Sequence, residues 1–135
     1  MSGTYYNPVF AVTVTAKQGQ RPLWDFNETT GKHPGDKGQF MQFTPTGPGS
    51  ITFNLPSGSS YLFNPNYFPT IFNNSSQIIS SPEVTNGNLT LTLAVNGALP
   101  DHSTPISIFL FVVDGKGNIH VSPDPSADPQ GTGGY

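Results

Sequence analysis

The sequence predicts an all-β fold: a single antiparallel β-sandwich, immunoglobulin-like in architecture, with seven to nine strands. Three observations carry that expectation. Residues 105–113 are apolar at nearly every position, which a strand needs only when it is central in a packed sheet or covered on both sides. Two Asn-Gly pairs, at 86–87 and 96–97, accept the positive φ angles of tight turns. No segment places apolar residues at i, i+3, i+4 and i+7 free of Pro and Gly, so no helix is expected.

Taken in order, residues 6–16 open the chain as a strand. Phe10, Val12 and Val14 alternate there with Ala11, Thr13 and Thr15, the period of two that separates a buried face from a wet one. Residues 17–38 hold most of the basic residues, the single Trp24 and several Gly and Pro. They read as a long irregular connection with a short strand around Trp24 and Phe26. Residues 40–44 resume as a strand, Gly47-Pro48-Gly49 turns the chain, and residues 50–55 put Ile51, Phe53 and Leu55 on one side. A short strand at 61–63 leads into an aromatic, Asn-rich segment reaching Asn74. Residues 77–80 are weakly strand-like, and Pro82 marks them as an edge or a break, because proline has no N–H to give a ladder.

Asn86-Gly87 is expected to close a two-residue hairpin into residues 88–95, where Leu89, Leu91, Leu93 and Val95 fill one face. Residues 105–113 then form the core strand, and residues 114–118 turn the chain back. On the returning arm the pattern puts Ile119 and Val121 on a buried face and Asn118, His120 and Ser122 on a wet one. Leu91 and Phe111 lie inside the two best strand patterns and are expected in the core. The sandwich domain spans residues 1–122. Residues 123–135, rich in Pro, Asp and Gly, form a tail with too little apolar surface to fold alone.

A length of 135 residues suits one domain whose core needs no staples. The chain has no cysteine, which removes disulfides, thiolate metal sites and cysteine nucleophiles together, and it points to a cytoplasmic setting. Neither a basic, apolar leader at the start nor any apolar run long enough to span a bilayer is present, so no membrane is expected as a partner. Only 13 residues are acidic or basic, for a net charge of -3, and the five basic ones are scattered. Phosphate backbones need clustered positive charge, so nucleic acid is not expected as a partner either. A weakly charged surface is also weakly protected against pairing with copies of itself, and a homo-oligomer is therefore the expected state.

Catalytic chemistry finds little to stand on. His33, His102 and His120 fall in separate segments, and no pair has the two- to five-residue spacing of a zinc site. His102, beside Asp101, and His120 read most simply as solvent-facing. Residues 114–118 superficially resemble a calcium loop, but Lys116, Ile119 and Pro125 stand where an acceptor, a glycine and a glutamate belong. The loop reads as a hairpin turn. Asp124 and Asp128 before prolines could present carboxylates, but as ligands they are too few. No Gly-x-Ser-x-Gly elbow is present, and Gly115-Lys116-Gly117 precedes a strand rather than opening a helix. We expect no catalytic residues, no metal, no cofactor and no enzymatic activity, with a small hydrolase ranking behind two binding functions.

The strongest functional candidate is the aromatic segment. Tyr61, Tyr67 and Phe68 interleave there with Asn64, Asn66 and Asn73, and Phe63, Phe72 and Asn74 extend the pattern. Ring faces beside amide donors and acceptors suit a carbohydrate or a protein ligand. The plainer reading is that the rings close one end of the core. Tyr5, Tyr6 and Trp24 make a weaker candidate of the same kind. The sequence thus supports a binding or self-assembling domain, with a carbohydrate-binding module or lectin as the alternative.

The last quarter of the chain, from Phe109 through Asp114-Gly115-Lys116-Gly117-Asn118 to the Asp-Pro pairs at 124–125 and 128–129, resembles the ends of small bacterial proteins of the DP-EP family. It is similar also to the AidA-like inclusion-body proteins. Both resemblances imply a small β-domain of unassigned function and transfer no catalytic residue, and this chain has no Glu-Pro pair.

Overall fold

Period-two alternation needs a hydrogen-bonded neighbour before it becomes a sheet, and the pairing decides how far each strand runs. The computed structural model describes residues 7–19, 21–30, 37–38, 42–43, 45, 47–72, 77–98 and 106–122. Residues 123–135, His33, His102, Tyr5, Tyr6, Asn73 and Asn74 lie outside them, as does Phe40.

The described residues are all-β. They form β1 (Val9–Thr15), β2 (Leu23–Thr30), β3 (Lys37–Gly38), β4 (Gln42–Phe43), β5 (Gly49–Asn54), β6 (Thr70–Phe72), β7 (Ile79–Thr85), β8 (Thr90–Val95), β9 (Ile106–Phe109), β10 (Phe111–Val113) and β11 (Ile119–Val121). One sheet has the order β3-β2-β1-β5-β8-β7; the facing layer consists of β4-β9-β6 and the hairpin β10-β11, with Leu62 bridged to Val113. Nine of these strands are three residues or longer, within the seven to nine expected, and the two-residue β3 and β4 lengthen the sheets at their edges. The expected core strand is split into β9 and β10 at Leu110.

The two layers bury their facing sides in one core. Phe10, Val12, Trp24, Phe26, Ile51, Phe53, Leu91 and Leu93 come from the larger sheet, and Tyr61, Phe63, Ile106, Ile108, Leu110 and Val112 from the other. The expected core strand is central: β9 is paired by β4 on one side and β6 on the other.

Pairing is antiparallel throughout the described strands except for β1 with β5, which run parallel where an all-antiparallel sandwich was expected. Local bonds fix that join. The Ser50 N–H donates to Asn7 Oδ1 at 3.0 Å, the Thr52 N–H donates to the Pro8 carbonyl at 3.1 Å, and the paired rings of Phe10 and Phe53 stack at 5.5 Å.

Two further expectations change. Residues 23–30 were read as an irregular connection around a short strand, yet β2 is eight residues long. Trp24 and Phe26 anchor it in the core, stacked at 5.8 Å, and pairing with β1 carries the strand on through its polar end to Thr30. The 86–87 turn is not a two-residue hairpin: Thr85 pairs with Thr90, leaving a four-residue loop. Asn86, Gly87 and Asn88 have φ of 56°, 64° and 69°, and the Leu55 and Phe63 N–H groups hold the loop open by donating to the Leu89 and Asn88 carbonyls. β7 is an edge strand as expected, blunted by a register shift between Ser80 and Glu83.

Candidate functional site

The returning arm β11 carries the main departure from the sequence pattern. Ile119 and Val121 are 47% and 43% exposed, whereas Ser122 is 2% exposed; Asn118 is exposed as expected, but from Ile119 to Ser122 the expected buried and wet faces are exchanged. Two polar contacts set this parity. The chain breaks its ladder at Leu110, whose N–H donates to the Ser122 hydroxyl at 2.9 Å, while the Ser122 N–H donates to the Leu110 carbonyl at 2.8 Å. A buried N–H without a partner would cost about 1 to 3 kcal/mol, and Ser122 meets that need only by pointing inward.

His120 also points inward rather than into solvent. Its Nε2 lies 2.8 Å from Asp114 Oδ2, and its ring meets that of buried Tyr61 edge-on at 5.4 Å. An ionised carboxylate only accepts, so Nε2 carries the proton. Asp114 Oδ1 accepts from the Lys116 and Asn118 N–H groups, each at 2.9 Å, which makes the 114–118 segment a hairpin turn tied to one side chain. The His120 contact, followed by the Asn118 and Lys116 N–H bonds, holds the Asp114 carboxyl well below the usual carboxylate range.

Such a depressed group contributes stability above the unfolded carboxylate value near 3.9 and loses it as pH falls through the folded one. The stability difference between wild type and Asp114→Ala should therefore shrink progressively as pH falls below about 5. Urea titrations at several pH values below about 5 check this; a difference that stays level down to the lowest of them would contradict the contact.

With Ser122 and His120 turned in, the outer face of the smaller layer becomes apolar. Residues opposite one another in a ladder share a face. Phe111 pairs with Val121 and Val113 with Ile119, and Leu62 pairs with Val113. Phe111, expected in the core, is half-buried on this outer side, while Leu110 and Val112 take the core places. Phe109 continues the row, and Phe72, 51% exposed, meets it edge-on at 5.4 Å.

The six proposed ligand-binding residues separate. Tyr61 and neighbouring Phe63 are core residues; Asn64 is half-buried; Asn66, Tyr67 and Phe68 are exposed; Asn73 lies outside the described residues. Trp24, from the weaker candidate, is 1% exposed and unavailable to a ligand. Sequence reasoning missed the inward side of β11 and with it the outer face. The available signal was the polar Ser122 directly after a strand, opposite a break in its partner. Among the described residues no three His, Asp or Glu side chains group as a metal site requires. The chain matches no protein-family model and no curated protein.

Proposed function

We propose that this protein is a non-catalytic, self-associating β-domain that pairs through the outer face of its smaller layer. The observation that carries this reading is the contrast between the two outer faces. The larger sheet turns mostly small and polar residues outward, Ala11, Thr13, Thr15, Ser50, Thr52, Asn54, Thr92 and Ala94, with Leu23 as the exposed large apolar side chain opposite Thr15; Thr90 and Asn54 are joined by a 2.9 Å hydrogen bond. The smaller layer turns out Leu62, Phe72, Phe109, Phe111, Val113, Ile119 and Val121, with Thr70 and Ser107 as the polar residues beside Phe109 and Phe72.

The occupant that fits is a second copy. None of those seven side chains is charged, so a charged partner finds no counterpart, and a net charge of -3 on 135 residues sets up little repulsion between copies. At their degrees of exposure, the seven offer on the order of 400 Å² of apolar surface, the size of the largest and often functional patch on a typical single domain. That is about half of the roughly 800 Å² per partner in a standard pair, with the rim supplying the rest. An isologous two-fold contact presents the same rows to each other, as two sheet faces do in a sandwich.

Light scattering after size exclusion at tens of micromolar should give a mass of twice 14.4 kDa or a higher multiple. The double variant Ile119→Lys, Val121→Lys should return it to 14.4 kDa with circular dichroism unchanged, since both side chains are already exposed. A monomeric wild type would end this reading.

A further inference from the structure

The segment between Asn64 and Phe68 adjoins the association face at both ends and differs from it in what it offers. Its two ends are fixed. Before it, Leu62 exchanges two backbone hydrogen bonds with Val113, and the Phe63 N–H donates to the Asn88 carbonyl at 2.9 Å; after it, β6 pairs with β9 from Thr70 onward. Between these anchors the Asn66 N–H donates to Asn64 Oδ1 at 2.8 Å and the Tyr67 N–H donates to the Asn64 carbonyl at 3.0 Å. Asn64-Pro65-Asn66-Tyr67 is thus a closed turn with proline at its second place, where the fixed φ suits it, and Pro69 stiffens the exit.

On this turn two adjacent rings stand in solvent: Tyr67 is 43% and Phe68 46% exposed. Exposed aromatics on a floppy loop would lose ordering entropy on binding anything; a turn closed in advance avoids most of that loss. The polar groups beside them are the exposed Asn66 amide and the Tyr67 hydroxyl. From 61 to 72 the sequence contains no Asp, Glu, Lys, Arg or His.

We propose that the turn at 64–68 is a binding site for a neutral saccharide. Such a ligand presents apolar C–H faces to stack on rings and hydroxyls to pair with an amide, and it asks for no charge. An ionic ligand finds no counter-charge on this segment. An extended peptide needs a row of free backbone groups, whereas two of the turn's backbone N–H groups, those of Asn66 and Tyr67, are already bonded within it. The site does not depend on the self-association reading.

The test titrates the intact protein, labelled with nitrogen-15, with neutral hexasaccharides of glucose, xylose, mannose and N-acetylglucosamine at millimolar concentration. Backbone amide resonances of Asn64, Asn66, Tyr67 and Phe68 should shift with at least one of them. Tyr67→Ala and Phe68→Ala should each weaken that binding by roughly tenfold, the loss of about one stacking contact, with circular dichroism and oligomeric mass unchanged. Ile119→Lys with Val121→Lys should leave the affinity as it is. No shift with any of the four sugars, or a shift that survives both alanine variants, overturns the proposal; shifts confined to the β10-β11 face overturn it too.

Discussion

Replacing Trp24 by alanine is expected to destabilise the protein by about 3 to 5 kcal/mol, the cost of removing a large aromatic side chain from a closed core. Trp24 is 1% exposed and stacks on Phe26 within β2. Its strand lies between β1 and β3, so neighbours on both sides limit how far the cavity can collapse. Domains of this size have only about 5 to 15 kcal/mol to lose. The melting temperature should fall by at least about 10 °C. Chemical denaturation showing a change below about 1 kcal/mol would mean that the ring faces outward.

The second large effect separates two neighbours. Leu110→Ala should cost about 2 to 5 kcal/mol, because Leu110 is fully buried and packs between the layers. Phe111→Ala removes more atoms but should cost clearly less, since its ring lies half-buried on the outer face and leaves no closed cavity. In dilute solution the contrast is greatest; at higher concentration Phe111→Ala should also weaken self-association. Urea titration of both variants at low concentration measures the difference. If Phe111→Ala proves the more damaging, the facing of β10 and β11 is opposite to that described, and the apolar outer surface goes with it.

That pair of residues also marks where sequence reading succeeds and fails. Composition and period-two alternation determined the all-β class and named the buried faces of β1, β5 and β8, because each of those strands has one polar side and one apolar side. They also marked Pro82 as an edge or a break, since a residue without an N–H is tolerated in a sheet only where no ladder bond is needed. They could not orient β10, where both sides are apolar and either parity would satisfy the pattern. On β11 the pattern pointed the wrong way: alternation counts only what each residue loses to water, and it omits the Leu110 N–H and the Asp114 carboxylate, which become partners of Ser122 and His120 only after folding.

The same division runs through the candidate sites. The chain itself specified the aromatic segment, its turn residues and the absence of charge, which are local properties. Which rings stay outside was decided by tertiary pairing. Leu62 bridging to Val113 turns Tyr61 and Phe63 into the core by the alternation of a strand, and the Asn64 turn then lifts Tyr67 and Phe68 out. Side-chain identity determined which rings and amides the segment carries; register, set by hydrogen bonds between segments far apart in the chain, decided which of them stand in solvent.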